Sequence, residues 1–207
     1  SFDYEFIDTF TAGIVLTGTE INLNNLDESR YYRKTYHILF ISKDPNSLWQ
    51  AVEPPRMRPF AAPYEELVQA EPMACSYDVR NVNAMIARAK EQGFLAAYCH
   101  PEWSGQTYPD YADLEGVWAM EIRNNDCSLM GQDINNHWVY QDMLEAGMRL
   151  FPTGTDDAHE LEGLFGSWCM VGAEKLEYAA VIEALEKGDF YMSCGPEIFD
   201  LTIEENV

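Results

Sequence analysis

The side chains best suited to chemistry in this sequence are carboxylates and histidines that follow short apolar segments. Asp157 and His159 stand two residues apart, and such a pair can give neighbouring metal ions one hard oxygen and one borderline nitrogen ligand. Taken alone the pair is a weak signal, because an acidic turn residue beside a surface histidine has the same pattern. Asp156 adds a second acid, and we interpret it as a support for the ligands rather than as a ligand.

Glu20 and His100 occupy comparable positions elsewhere in the chain. His100 lies at the end of the apolar segment 94–98, and Pro101 prevents a regular helix from continuing directly after it. Glu20 follows the apolar segment 14–17, and burying a carboxylate there is costly unless a cation or hydrogen bonds hold it. The alternatives are a structural histidine and a surface glutamate, and the sequence leaves both open.

His37 begins another apolar segment and is either a further ligand or a packed histidine. His137 begins a helical pattern, so we leave it out of the predicted site. Arg123 is a candidate for substrate binding because a guanidinium pairs with phosphate through two hydrogen bonds, although a surface salt bridge is the simpler explanation. Ser104 and Ser193 have no histidine base at a recognisable spacing, so no covalent nucleophile is predicted.

Short apolar segments alternate with amphipathic helical patterns, which is typical of an α/β protein with parallel strands. We predict a helix from Asp78 to about Gly93 and another over about 176–187 that stops at Gly188. Predicted strands lie at 14–17, 37–41, 94–98, 117–122 and 190–193, with a further one starting at residue 149. In a parallel barrel the carboxyl ends of the strands converge on one face, so the scattered polar residues would meet there.

Four ordered segments together resemble the polymerase and histidinol phosphatase (PHP) superfamily. They are Gly18-Thr19-Glu20, His37-Ile38-Leu39, Cys99-His100-Pro101 and Thr155-Asp156-Asp157-Ala158-His159, and residues 121–124 and 188–196 are similar to further family segments. The resemblance covers residues 13–196 or so. It implies a distorted (β/α)7 TIM-like barrel that holds two or three divalent ions, manganese, iron or zinc.

The same resemblance implies a role for each candidate ligand. Glu20 would bridge the first and second ions, His37 and His100 would complete the second site, Asp157 would join the first ion and His159 the third. We therefore predict metal ligands at Glu20, His37, His100, Asp157 and His159, and catalytic roles for all of these except His37.

The sequence departs from the family pattern at its start, because the family opens with a His-x-His strand and no histidine precedes His37 here. We expect residues 1–207 to be a single PHP-like domain that lacks its first one or two strands, an upstream piece of about 50 residues. The alternative is a degenerate member that has lost part of its metal site and its catalysis.

The predicted function is hydrolysis of a small phosphomonoester or short nucleotide by metal-activated water. The alternatives are a non-catalytic protein that binds metal or ligand, and a different barrel hydrolase acting on a C–N bond or a sugar. The chain carries 35 acidic and 13 basic residues, a formal net charge of −22, and so negative a surface repels phosphate backbones. We therefore predict a small phosphorylated substrate and no long nucleic acid partner.

Hydrophobicity and cysteine content predict the cellular compartment of the protein. No run of about 18 apolar residues occurs, so we predict no membrane span. The cysteines are Cys75, Cys99, Cys127, Cys169 and Cys194, an odd number without paired spacing. Reduced thiols in a cytoplasmic protein fit this pattern best.

Overall fold

The computed structural model describes residues 13–25, 34–52, 69–70, 73, 76–132, 136–199 and 201–202. Its strands are β1 (Gly18–Asn24), β2 (Thr35–Ser42), β3 (Trp49–Gln50), β4 (Gln69–Ala70), β5 (Phe94–Tyr98), β6 (Ala119–Asn124), β7 (Phe151–Thr155), β8 (Trp168–Val171) and β9 (Phe190–Ser193). Its helices are α1 (Val79–Glu91), α2 (Tyr108–Tyr111), α3 (Asn125–Leu129), α4 (Asn136–Glu145) and α5 (Tyr178–Lys187), with a 3-10 turn at Leu161–Gly163. Cys75 lies outside the described residues.

Five strands form the main sheet in the order β1-β2-β5-β6-β7. β2 runs antiparallel to both of its neighbours, whereas β5, β6 and β7 are parallel to one another. β8 and β9 form an antiparallel pair that packs beside β7, with α5 between them in the chain, and β3 pairs with β4 over two residues. The sheet is therefore half antiparallel and half parallel.

The predicted distorted (β/α)7 TIM-like barrel is wrong. Among the residues that the structure describes, the main sheet is open, and β1 and β7 are its two edges. A TIM-like barrel needs parallel strands joined by crossovers, and β2 breaks this rule on both sides. The predicted strand at 14–17 is also displaced, since β1 begins at Gly18 and Glu20 lies inside it.

Successive side chains of β2 point to opposite faces of the sheet. Tyr36, Ile38 and Phe40 are buried on one face, and His37 and Leu39 point to the other. The first face packs against α1 and α4 in a core that includes Val82, Met85, Ile86, Met120 and Met143. Burying each of these large side chains contributes roughly 1.5–3 kcal/mol, so this face supplies much of the stability.

The two predicted helices with the clearest end signals are confirmed. Asp78 is the N-cap of α1, and its carboxylate accepts a hydrogen bond from the backbone of Arg80 at 2.9 Å. α5 ends at Gly188, which takes the left-handed conformation with φ 79°. Within the described ranges, no helix combines the length and the apolar character that crossing a bilayer requires.

α5 covers only one end of the second face of the sheet. Ile182 and Leu185 of α5 pack there with Leu95 of β5 and Ile41 of β2. His37 lies four residues back along β2, at the end where β5, β6 and β7 all finish. Side chains from these strand ends therefore meet at one end of the sheet.

Hydrogen bonds to Asp110 connect the start of β2 to α2. Its carboxylate accepts hydrogen bonds from Lys34, from the Thr107 backbone at 2.7 Å and from the Tyr77 hydroxyl at 2.9 Å. Its carbonyl oxygen accepts from the hydroxyl of Tyr36, the residue before His37. Burial alone would raise the pKa of Asp110, but the bonds from Lys34 and Thr107 outweigh it and hold the pKa below its usual range.

We expect Asp110→Asn to lower the free energy of unfolding by about 2 kcal/mol at pH 7, because hydrogen bonds to a charged acceptor are lost. A carboxyl whose folded pKa is lowered contributes stability above its unfolded pKa and loses it as the pH falls through the folded value. The difference from wild type should therefore shrink below about pH 4. Urea unfolding at pH 7 and pH 3 measures both effects, with the exposed Asp113→Asn as control. Equal stability of Asp110→Asn and wild type at pH 7 would contradict the assignment.

Candidate metal centre

A pocket of about 270 Å³ opens where the strand ends meet. It is lined by Glu20, Asn22, His37, His100, Trp103, Asp126, Cys127, Met130, Asp157 and His159. All five of the predicted metal ligands are in this set. The five predicted ligands therefore share one pocket.

Within this pocket, Glu20, His37 and His100 contact one another. In the antiparallel register Asn22 pairs with His37. Glu20 lies two residues before Asn22 on the same face of β1, so its carboxylate hydrogen-bonds His37 Nδ1. The backbone N–H of Cys99 donates to the carbonyl of His37 at 3.0 Å, which brings the next residue, His100, beside the pair. His100 Nε2 lies 3.8 Å from Glu20 Oε1. Within the described chain, these three residues form the group whose possible ligand atoms all lie within 4.8 Å of one another.

The imidazole of His100 is held from several sides. It is 3% exposed, and its ring lies 4.7 Å from the ring of His37 and 5.1 Å from that of Trp103. Ser104 Oγ lies 3.3 Å from His100 Nδ1. When Nδ1 carries the proton and donates a hydrogen bond to Ser104 Oγ, Nε2 on the Glu20 side keeps a lone pair that can bind a metal.

Glu20 gives the cluster a negative charge, which its two histidine neighbours stabilise. Burial alone would raise the pKa of Glu20, but hydrogen bonds with His100 and His37 outweigh it and lower the pKa to about 2. Burial lowers the pKa of His100, and the bond to Glu20 outweighs this and raises it. Glu20 is thus ionised at neutral pH, and a divalent ion would compete with protons for the imidazoles.

Asp157 and His159 line the pocket from the opposite side, after β7. Asp157 has φ 47°, and its Oδ2 accepts a hydrogen bond from Asn124 Nδ2 at 3.0 Å. The side chain of His159 is 71% exposed, and its Nδ1 lies 3.3 Å from Asp126 Oδ2. Among described residues, neither belongs to the group of ligand atoms that converge within 4.8 Å. The structure thus brings three of the five predicted ligands into contact and places the other two on the pocket wall.

Asp156 shapes the loop that carries this wall. Its carboxylate accepts hydrogen bonds from the backbone N–H groups of Phe165 at 2.7 Å, Gly166 at 2.8 Å and Ser167 at 3.0 Å. Phe165 is held at φ 64°, a left-handed conformation that is costly for a residue other than glycine. Asp156 therefore supports the site through the backbone.

Among the described residues, Arg123 and His137, which the sequence singled out, do not belong to the group of converging ligand atoms, and neither does Cys99. Arg123 is half-buried on β6 and is not among the described residues that line the pocket, so its contact with substrate stays a prediction. His137 is exposed on α4, with its ring 4.7 Å from that of Trp138. Burial raises the pKa of Cys99, so this residue remains a protonated thiol that donates to the carbonyl of Ala97 at 3.7 Å.

Several residues in or next to the pocket were not among the predicted site residues. Asn124 gave a usable signal, since asparagine before a helix is a common N-cap, and its Oδ1 accepts from the backbone of Cys127 at 2.8 Å. Its bond to Asp157 spans 33 positions and has no local signature. Trp103 and Asp126 likewise join the site through contacts between distant parts of the chain.

Comparisons with known proteins leave the family open. No family model matches the chain. The SsrA-binding protein of Phocaeicola vulgatus is 95% identical over 21 residues, which is 10% of this chain and 14% of that protein. The SsrA-binding protein of Parabacteroides distasonis is 86% identical over 21 residues, with the same coverage. The chain thus spans 14% of the length of these relatives, and so short a match does not test the resemblance to the PHP superfamily.

Proposed function

We propose that this protein is a metal-dependent phosphoesterase that hydrolyses a small phosphomonoester or short nucleotide by metal-activated water. The observation that supports this most is the convergence of Glu20, His37 and His100 within 4.8 Å at one pocket. The proposal treats this cluster as the metal site and the rest of the pocket as the place for substrate.

The side chains present fit a divalent ion. One carboxylate oxygen and two imidazole nitrogens suit manganese, iron or zinc. Glu20 is ionised at neutral pH, and Ser104 and Trp103 hold the ring of His100 in place. Three protein ligands also leave coordination positions for water and substrate, as catalytic sites require.

A bound divalent ion would supply Lewis acidity and lower the pKa of water. Glu20, His37 and His100 would hold it. His159 is oriented by Asp126, and its exposed ring can donate a hydrogen bond to a phosphate oxygen at the pocket mouth. With a volume of about 270 Å³ the pocket suits a small substrate, and the net charge of −22 disfavours a long polyanion.

We expect the purified protein to release phosphate from members of a panel of small phosphate esters only after manganese, iron or zinc is added. His100→Ala should lower kcat/KM by about 100-fold or more, because a ligand and the partner of Glu20 are lost. His137→Ala is the matched control, since it removes an exposed histidine outside the pocket and should leave kcat/KM unchanged.

A non-catalytic metal-binding protein is the second candidate. The observation that favours it is that Asp157 and His159 bond Asn124 and Asp126, outside the converging group. Stoichiometric metal binding without phosphate release from any ester in the panel would support this candidate and contradict the phosphoesterase.

A further inference from the structure

Glu121 is a buried carboxylate that lies behind the pocket. It is on β6 and is only 4% exposed. Its Oε2 accepts hydrogen bonds from the backbone N–H of His100 at 2.9 Å and from Asn124 Nδ2 at 3.1 Å. Its Oε1 accepts from the hydroxyl of Thr155. One carboxylate thus joins the ends of β5, β6 and β7.

Retaining an acid at this depth has a cost. Glu121 is only 4% exposed, and removing a charged carboxylate from water is costly. Buried ionic groups can often be replaced by apolar side chains without loss of stability. A leucine at this position would instead leave three donors without this acceptor, and one of the three belongs to His100 of the cluster.

The first of these donors belongs to a strained residue. His100 has φ 26°, outside the regions that residues with a side chain readily adopt. Its N–H bond to Glu121 Oε2 holds the backbone in this conformation, and the conformation directs the imidazole toward Glu20.

A second contact extends to the other side of the pocket. Asn124 is fully buried, and its Oδ1 accepts from the backbone of Cys127, so its amide nitrogen is the atom turned toward the carboxylates. That nitrogen donates both to Glu121 Oε2 at 3.1 Å and to Asp157 Oδ2 at 3.0 Å. Glu121 and Asp157 are thereby held on one amide group.

We propose that Glu121 is a positioning residue of the metal centre, which fixes His100 directly and Asp157 through Asn124. This inference rests on the proposed metal site. Glu121 itself is separated from the pocket, since it is not among the described residues that line it.

The test is the Mn²⁺ affinity of Glu121→Gln, measured by isothermal titration calorimetry at 10 °C. Glutamine has the same shape but replaces one acceptor oxygen by an NH₂ group, which must then face one of the three donors. We expect Mn²⁺ to bind about 10- to 100-fold more weakly, the range found when groups that orient metal ligands are changed. The exposed Glu115→Gln is the control and should bind like wild type.

A second variant keeps the test decisive if Glu121→Gln does not fold. Thr155→Val removes one donor to Glu121 and keeps the carboxylate, so it should weaken Mn²⁺ binding by a smaller factor. If Glu121→Gln folds, has a lower Tm and binds Mn²⁺ with wild-type affinity, the role of Glu121 is purely structural and the inference is overturned. If Glu121→Gln does not fold, wild-type Mn²⁺ affinity of Thr155→Val overturns the inference. A wild-type protein that binds Mn²⁺ without releasing phosphate would overturn the proposed hydrolysis and leave Glu121 testable by affinity. Wild-type protein that binds none of Mn²⁺, Fe²⁺ and Zn²⁺ would overturn both.

Discussion

Glu20→Gln is expected to abolish metal binding at the cluster and to lower phosphomonoester turnover by about 10³-fold. Glu20 is the acidic member of the cluster, and its carboxylate contacts both His37 and His100. Glutamine keeps the shape and the β1 pairing but removes the charge that attracts the ion. Losing the ion removes several kcal/mol of transition-state stabilisation, and about 4 kcal/mol corresponds to 10³-fold in rate.

Two measurements check this expectation. Metal content after gel filtration should fall from about one ion per chain to none, and phosphate release should fall with it. Glu91→Gln changes an exposed glutamate at the end of α1 and should alter neither quantity. Turnover of Glu20→Gln within a few-fold of wild type would mean that the cluster is not the reaction centre.

Asp156→Ala should lower the free energy of unfolding by about 2–4 kcal/mol, because three backbone N–H groups lose a charged acceptor. For a chain of this size the Tm should fall by roughly 5–15 °C. Thermal unfolding measures the change, and Glu162→Ala, an exposed acid in the same loop, should leave the Tm near the wild-type value.

A second substitution separates this explanation from a general loss of charge. Phe165 is held at φ 64°, where glycine avoids a cost of about 1–2 kcal/mol. Phe165→Gly should therefore recover part of the stability lost in Asp156→Ala. If Phe165→Gly destabilises that variant further, the bonds from Asp156 are not what holds the loop.

The elements that were predictable from the sequence are those with local signals. Asp78 marks the start of α1 by its capping side chain, and Gly188 marks the end of α5 by its conformational freedom. The short apolar run at Phe94–Tyr98 is fully buried and forms β5 where it was expected. Each of these features depends on neighbours within a few residues.

The barrel was mispredicted because strand direction depends on distant pairing. The apolar run that begins at His37 is compatible with either direction, and the pattern does not show that β2 runs antiparallel to β1 and β5. The run at 14–17 likewise did not show that pairing starts at Gly18. The meeting of the ligands was nevertheless partly predictable, since His100 and Asp157 follow the ends of parallel strands.

The roles of supporting residues were beyond the sequence. Residues 121–124 resembled a family segment, but this did not indicate what Glu121 contacts, and its bonds to His100 and Thr155 span 21 and 34 positions. His159 on the loop after β7 and Asp126 on α3 meet in the same way. No periodicity records such contacts, because they form only when the strand ends are brought together.

The most direct test of the metal centre is anomalous X-ray scattering from crystals of the protein grown with Zn²⁺. A cation held by the cluster predicts an anomalous peak about 2.0–2.2 Å from a Glu20 oxygen and from one nitrogen each of His37 and His100. Crystals that show no peak between these three side chains, or a zinc ion bound only by other residues, would contradict the metal centre and the phosphoesterase proposed from it.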